Sequence, residues 1–527
     1  MEKKLKDILT DKIRTEAGLR EGQDFDRDTV IHGLEYDSRN IKPGCLYFAL
    51  PGLHSEGHDF IDDAIELGAV AIVHEKDIVR RKEGIAYIAA RDSRFAMSPI
   101  AASFYGFPSE KLIVTGVTGT EGKSTTVFLI WQLLRFLGNR AGFFSTVQHS
   151  LGGEALFNTE HQTTPEATAV QRLLHEMLEG GCRYAVVEAS SHGLSPKTNR
   201  LGNVGFDAAV MTNVTHEHLE FHGTWEQYRD DKANLFRALD KRESPDKNLE
   251  PFGVINGDDT SASYFEAATA QDILRFSAHG LDADLSLHSI ESGAGGNWYA
   301  VTDRKGLEID IRDRLPGAFN ANNVMAALLV VSRLTKKPVA ELAPLAAELK
   351  PVHGRMSAVN RGQPFEVLID YAHTPSSFQT IFPPLRDRIS KGGGRIISLF
   401  GSAGERDTQK RSEQGSIAAE YSDFIVLCDE DPRGEAPMEI LEEIAGGITG
   451  ALRREENLFL IPERPLAIRK AFSLARPGDL VLLLGKGHEN SIIYRDRTIP
   501  FDEFAETEKA LDELMDNSKT GGFPDSP

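Results

Sequence analysis

Residues 112–138 read LIVTGVTGTEGKSTTVFLIWQLLRFLG, and this stretch decides the fold class. The apolar run LIVTGV (112–117) predicts a strand, the glycine-rich segment after it a tight turn, and TTVFLIWQLLRFLG a helix apolar over one broad face. A strand, a glycine-rich turn and a helix opening on Gly122-Lys123-Ser124 form the setting in which backbone N–H groups converge on phosphate oxygens. Gly119, Thr120 and Gly122 shape the turn, and Thr125 follows in the first helical turn. The helix N-terminus adds positive potential, Lys123 reaches the β- and γ-phosphates of a nucleotide, and Ser124 ligates Mg²⁺. Five residues rather than the usual four separate Gly116 from Gly122-Lys123, which points away from GTPases and motors.

Outward from this turn, short apolar runs alternate with helical patterns. CLYFAL (45–50) and VAIVH (70–74) read as strands around a helix at 60–69, and a helical stretch near 95–105 leads to the breaker Gly-Phe-Pro-Ser. After the turn come the strands YAVVE (184–188), DAAVMTNV (207–214) and FGVIN (252–256), and then a more polar, hairpin-rich stretch at 283–312. A third series, EVLIDYAH, RIISLFG, DFIVLCDED and DLVLLLGKG, begins near Pro351. Apolar strands alternating with helices predict an α/β protein with mostly parallel sheets covered on both faces.

The expected domains are a smaller α/β domain at 1–108, a central phosphate-loop domain at 109–349 and a Rossmann-like C-terminal domain at 350–515. A disordered tail is expected at 516–527. A chain of 527 residues is long enough for several separate cores.

A net charge of −20 without a basic stripe speaks against nucleic acid, yet leaves room for a phosphorylated small molecule held locally. Cys45, Cys182 and Cys428 are too few and too scattered for a disulfide framework or a zinc site, and read as buried thiols in a reducing compartment. The charged N-terminus has no apolar segment of a signal peptide, and no run approaches the ~20 apolar residues of a membrane span. A cytoplasmic protein is expected.

Several side chains stand at strand ends, where open α/β sheets bind ligands. Glu188 closes YAVVE beside the phosphate loop, well placed for a divalent cation, and the segment Thr212-Asn213-Val-Thr-His216-Glu217-His218 offers imidazoles that bind such ions. A solvated carboxylate and structural histidines are the plain alternatives. Lys232, in Tyr228-Arg-Asp-Asp-Lys232, reads by itself as a surface lysine.

Together these elements resemble the Mur ligases. Their phosphate loop reads Gly-Thr-Asn-Gly-Lys-Thr/Ser, with Glu121 here in place of Asn. The resemblance covers nearly the whole chain, with all three regions in the same order. It implies an ATP-dependent ligase of cell-wall synthesis, MurE type, that adds a diamino acid to UDP-N-acetylmuramoyl-L-alanyl-D-glutamate through an acyl phosphate.

By the same resemblance, Glu188, His218 and Lys232 (as a carbamate) hold Mg²⁺, two ions in all, with Ser124 and Lys123 at the ATP phosphates. Asn213, Asn320, Asn323 and Arg355 contact the nucleotide, and Arg355 lies on a hinge. Ser38 meets the uridine diphosphate, while Thr163, Thr164, Ser190, Thr198 and Arg200 meet the muramoyl peptide. The Ser190–Arg200 interval is two residues longer than the family pattern. The incoming amino acid falls to Arg406, to Glu430-Asp431-Pro432-Arg433, and to Gly485 and Glu489.

The arginine forks suit carboxylate. Relative to the Asp-Asn-Pro-Arg of diaminopimelate enzymes, Glu430 and Asp431 are changed. Asp431 adds a charge that attracts a distal ammonium with about 4 kcal/mol at 4 Å near a surface. The expected substrate is meso-diaminopimelate ahead of L-lysine or L-ornithine, and the expected state is a monomer. A folylpolyglutamate-type ligase and a nucleotide-binding regulator without chemistry remain the rival readings.

Overall fold

The computed structural model describes every residue except 24, 53–55, 159–161, 216–218, 243–248, 281, 294–295, 451 and 521–527. The chain divides into two compact units: residues 1–277, 281–285 and 325–339 in the first, and 278–280, 286–324 and 340–527 in the second.

The first unit opens with a four-stranded parallel sheet in sequence order, β1 (Gly33–Glu35), β2 (Cys45–Phe48), β3 (Ala71–His74) and β4 (Ala86–Ala89). Helix α1 (Ser93–Phe104) covers it and is capped by Asp92, which accepts from Phe95 N. The unit's larger sheet takes its central strand, β5 (Ile113–Thr118), from the run that the sequence singled out. Helix α2 (Lys123–Phe136) and strand β6 (Ala141–Phe144) follow, then α3 (Ala167–Glu179), β7 (Tyr184–Glu188), β8 (Ala208–Met211) and α4 (Trp225–Leu239). Strands β9 (Phe252–Asn256) and β10 (Asp272–Ser277) complete it.

Their order, β6-β7-β5-β8-β9-β10, is parallel throughout, and it is extended beyond β6 by the antiparallel strands Gln148–Ser150 and Leu156–Phe157. Strands β5, β7, β8 and β9 are buried at every position, which is why they read as unbroken apolar runs rather than alternating ones. The strand order reverses around β5, so the loops after β5, β7 and β8 converge at one end of the sheet. Gly116 in mid-β5 brings α4 close: a Cβ there would lie 2.5 Å from Leu235 Cδ1 and 2.8 Å from Phe206.

The second unit contains an antiparallel pair, β11 (Gly296–Asp303) and β12 (Glu308–Asp313), in the stretch expected to be hairpin-rich. Helix α5 (Asn320–Thr335) follows in the chain. The C-terminal part alternates β13 (Glu366–Asp370), α6 (Pro375–Lys391), β14 (Ile396–Phe400), α7 (Gln409–Tyr421), β15 (Phe424–Leu427) and α8 (Pro437–Gly446). It ends with β16 (Leu458–Leu460), α9 (Arg464–Leu474), β17 (Leu480–Leu484) and α10 (Glu503–Thr520). The parallel order is β13-β17-β14-β15-β16.

Helix α10 corrects the expectation of a disordered tail from residue 516. It runs on to Thr520, with Ala510 and Leu511 buried in the core, while residues 521–527 lie outside the described residues. All three cysteines are buried and free. Among the described residues no helix is long and apolar enough to cross a membrane.

Candidate active site

The turn between β5 and α2 is shaped by two glycines. Gly119 has φ +147°, and a Cβ there would lie 1.9 Å from Thr212 Oγ1. Gly122, at φ +80°, caps α2 in the left-handed region. The loop is tied to the end of β8. Asn213 Oδ1 accepts from Glu121 N at 2.8 Å and from Thr120 N at 3.2 Å, and the Glu121 carbonyl accepts from Thr212 Oγ1 at 2.6 Å. The chain thus uses the backbone of Glu121 to anchor the loop. Lys123 Nζ donates to the Thr120 carbonyl at 2.7 Å, folded over the turn it opens. Thr125 lies half-buried on the first turn of α2.

Glu188 ends β7 beside the loop and is 1 % exposed. Its Oε2 accepts from Ser124 Oγ at 2.9 Å and from Thr146 N at 2.8 Å, and its Oε1 from Thr146 Oγ1 at 3.1 Å. The Glu188 carbonyl accepts from Thr164 Oγ1 at 2.9 Å, which fastens the next segment to the same strand end. Ser190 N and Ser190 Oγ both donate to Thr164 Oγ1 at 3.0 Å. Arg200 donates to the Thr164 carbonyl and to Glu166 Oε1, each at 2.8 Å. The long Ser190–Arg200 interval is absorbed by a turn in which Asn199 takes φ +49° and its amide, with that of Thr198, bonds the Ser195 carbonyl.

Lys232 is 1 % exposed on α4, not the surface lysine of an isolated reading. Its Nζ donates to the Gly119 carbonyl at 2.6 Å and lies 4.3 Å over the Tyr228 ring. A cavity of about 290 Å³ is lined by Lys123, Gln162, Thr163, Thr164, Ser190, Ser191, His192, Arg200, Tyr228 and Lys232. It joins the phosphate-loop lysine to four of the residues expected to meet the peptide. Thr198 is not among them: its hydroxyl donates to the carbonyls of His192 and Ser195 inside the turn. Ser38 also lies apart from this cavity, half-buried in a short 3₁₀ turn capped by Asp37. His218 lies outside the described residues, and among those described no group of three or more His, Cys, Asp or Glu is arranged to hold a metal.

In the second unit Asn320 and Asn323 are buried and bonded to each other at 2.9 Å, with Asn320 also donating to the Pro316 carbonyl at 2.8 Å. Arg355 lies 4.7 Å over the Tyr371 ring, and Asp370 accepts from Met356 N and Ala372 N at 2.7 Å each. Burial pushes the Asp370 carboxyl up, against the pull of Arg355.

The ends of β15 and β17 carry the expected amino-acid residues, Glu430, Asp431, Pro432 and Arg433 on one and Gly485 and Glu489 on the other. Gly485, at φ +101°, lets the Glu430 carboxylate lie against it: a Cβ there would be 3.0 Å from Glu430 Oε2. Between the two segments lies Lys486, a residue that sequence reasoning passed over. Its buried ammonium donates to Asp431 Oδ1 at 2.9 Å and to Glu489 Oε2 at 2.5 Å. Burial works against that charge, yet the two carboxylates hold the lysine above its ordinary pKa. Tyr371 Oη donates to Glu489 Oε1 at 3.1 Å. Arg433 is half-buried at φ +53°, and its guanidinium has no hydrogen bond or ion pair among the described residues. Arg406 is exposed.

A phosphate loop on a parallel α/β sheet, with a buried lysine and a cavity that includes Arg200 at its mouth, defines a nucleotide-phosphate-binding α/β protein. Residues 30–104 match the Mur ligase family catalytic domain, 117–331 the Mur ligase middle domain and 354–487 the Mur ligase glutamate ligase domain. The chain belongs to the Mur ligase family. It is 52 % identical over 505 residues to a UDP-N-acetylmuramyl-tripeptide synthetase of Treponema denticola, covering 92 % of this chain and 94 % of that one. It is 35 % identical to a UDP-N-acetylmuramoyl-L-alanyl-D-glutamate–2,6-diaminopimelate ligase of Geobacillus thermodenitrificans, over 92 % of this chain and 95 % of that one. A solved diaminopimelate ligase of the same name superposes with a TM-score of 0.63 at 26 % identity, covering 98 % of this chain and 100 % of that one.

Proposed function

We propose that the protein uses ATP to join a diamino acid to the D-glutamate of UDP-N-acetylmuramoyl-L-alanyl-D-glutamate, a step of peptidoglycan synthesis in the cytoplasm. The observation that carries this reading is the cavity that Lys123 shares with Thr163, Thr164, Ser190, Arg200 and Lys232. A carboxylate held by Arg200 there faces the γ-phosphate held by Lys123. Attack gives an acyl phosphate and ADP. The amine of the diamino acid then displaces phosphate and leaves an amide. Lys123 stabilises the charge that develops on the transferred phosphoryl group, and the shared cavity supplies proximity.

Ser124 Oγ and the Glu188 carboxylate, 2.9 Å apart at the loop, are hard oxygen donors that fit Mg²⁺. The ion, when bound there, neutralises charge on the β- and γ-phosphates. In this reading two ions are used and His218 is a further ligand. Lys232, buried 2.6 Å from the Gly119 carbonyl, contributes as a carbamate, because an ammonium would repel the cation.

Ser38 binds the uridine diphosphate, and Asn213, Asn320, Asn323 and Arg355 serve the nucleotide. Arg406, Arg433, Glu430, Gly485 and Glu489 take the amino acid, for which meso-diaminopimelate stands ahead of lysine and ornithine. A half-buried guanidinium at Arg433, without a hydrogen bond or ion pair among the described residues, suits a carboxylate, while Lys486 already offsets the charge that Asp431 introduces. The domains act as precursor-binding (1–108), ATP-binding (109–349) and amino-acid-binding (350–515) parts of a monomer that inserts in no membrane. The test is ADP release with each substrate omitted in turn: release needs both the precursor and the diamino acid. Steady ATP hydrolysis without amide formation would defeat the proposal.

A further inference from the structure

The cavity wall contains a hydrogen-bonded chain that the mechanism above does not use. Ser191 lines the cavity together with Lys123 and Lys232. Its hydroxyl meets His222 Nε2 at 3.0 Å, and the opposite ring nitrogen, Nδ1, meets Asp231 Oδ2 at 2.7 Å. Asp231 Oδ1 accepts from Gln227 Nε2 at 3.0 Å. Ser191, His222 and Asp231 are 2 %, 4 % and 1 % exposed. The imidazole is also gripped edge-on by the rings of Tyr228, at 5.2 Å, and His192, at 5.3 Å, so it is held from several sides.

The direction of these bonds follows from donor and acceptor chemistry. With Asp231 ionised and the His222 ring neutral, the carboxylate accepts, Nδ1 carries the ring's proton and Nε2 presents a lone pair. The Ser191 hydroxyl therefore donates to His222. Its proton is committed inward, which leaves the oxygen lone pairs for a donor in the cavity. The neighbouring hydroxyls are differently engaged: Thr164 Oγ1 donates to the Glu188 carbonyl and accepts from Ser190, and Ser190 Oγ accepts from Gly193 N.

Lys123 and Arg200 give this wall a cationic character suited to carboxylate and phosphate. An attacking amine needs the opposite, an acceptor for one of its N–H groups, so that its lone pair points at carbon. We propose that Ser191 is that acceptor, a catalytic residue that orients the amine of the incoming amino acid, with His222 and Asp231 as its positioning residues. The proposal rests on the acyl-phosphate reading given above and adds a role in the amine step alone.

That restriction makes it testable. Positional isotope exchange in ATP, measured with precursor and no amino acid, reports the phosphorylation step; kcat with all substrates reports the whole reaction. Ser191→Ala is expected to lower kcat about 10- to 100-fold, with exchange within about twofold of wild type. Asp231→Asn offers an amide N–H to Nδ1 and turns the ring's proton to Nε2, so it should reproduce the kcat loss; Ser191→Thr should restore most of the rate. An unchanged kcat in Ser191→Ala, or exchange that falls in step with kcat, would overturn the proposal. Absence of exchange in the wild-type enzyme would count against the acyl-phosphate reading itself. In an enzyme that shows exchange, the KM values of Ser191→Ala give a second readout: a kcat loss with the precursor KM unchanged upholds the amine role, and a raised precursor KM removes it.

Discussion

Lys486 buries its ammonium 2.9 Å from Asp431 Oδ1, so the carboxylate at the end of β15 is already matched from within. The sequence alone suggested that the extra charge attracts a ligand ammonium. With Glu489 as second partner, Lys486 takes most of that attraction. Asp431→Asn should therefore change the ratio of kcat/KM for diaminopimelate over lysine by less than about tenfold, or about 1.4 kcal/mol. A competition assay with both amino acids at equal concentration measures it, and a larger swing would mean that the ligand does meet Asp431.

Gly119→Ala tests the loop. The added methyl would collide with Thr212 Oγ1 at a backbone φ of +147° that side chains rarely adopt. Calorimetric titration should show nucleotide binding lost while the circular dichroism spectrum stays native. Retained binding would show that the turn has another conformation open to it.

Asp429 makes stability depend on pH. Burial, opposed by the Tyr494 hydroxyl and by Arg464, raises its carboxyl from 3.8 to about 6. A raised folded pKa favours the protonated folded state. The contribution is fully present below pH 3.8 and is lost as pH rises through about 6. Asp429→Asn should remove that loss, stabilising the protein by about 3 kcal/mol above pH 6 and by little below pH 4. Urea unfolding at the two pH values checks this, and equal shifts at both would contradict it.

Arg464 and Glu503 form a fully buried ion pair, at 2.7 and 2.9 Å, that ties α9 to α10. Arg464 also donates to the carbonyls of Asp429 and Leu484, which joins the ends of β15 and β17. Glu503→Gln leaves a buried charge without its counter-ion and should cost about 3–5 kcal/mol in urea unfolding. A cost below about 1 kcal/mol would show that water reaches the arginine.

Much of the fold is legible in the sequence because the strands are buried on both faces. YAVVE and FGVIN match β7 and β9 residue for residue, whereas CLYFAL ends two residues early, at Phe48, where the sheet pairing stops. The phosphate loop is legible because its parts are consecutive. Lys486–Asp431 and Ser191–His222 are not, since the partners lie 55 and 31 residues apart and meet only once the strands are ordered. The burial of Lys232 is likewise invisible locally: Gly116 in β5, by lacking a side chain, is what lets its helix come close. A histidine four residues beyond His218 was the one available signal for His222.

The most direct test of the central claim follows an oxygen atom. A precursor labelled with oxygen-18 in its terminal carboxylate should pass one labelled oxygen to each phosphate released, because carboxylate attack on the γ-phosphorus makes the bond that amide formation later breaks at carbon. Phosphate released without label would contradict carboxyl activation at Lys123, and the account with it.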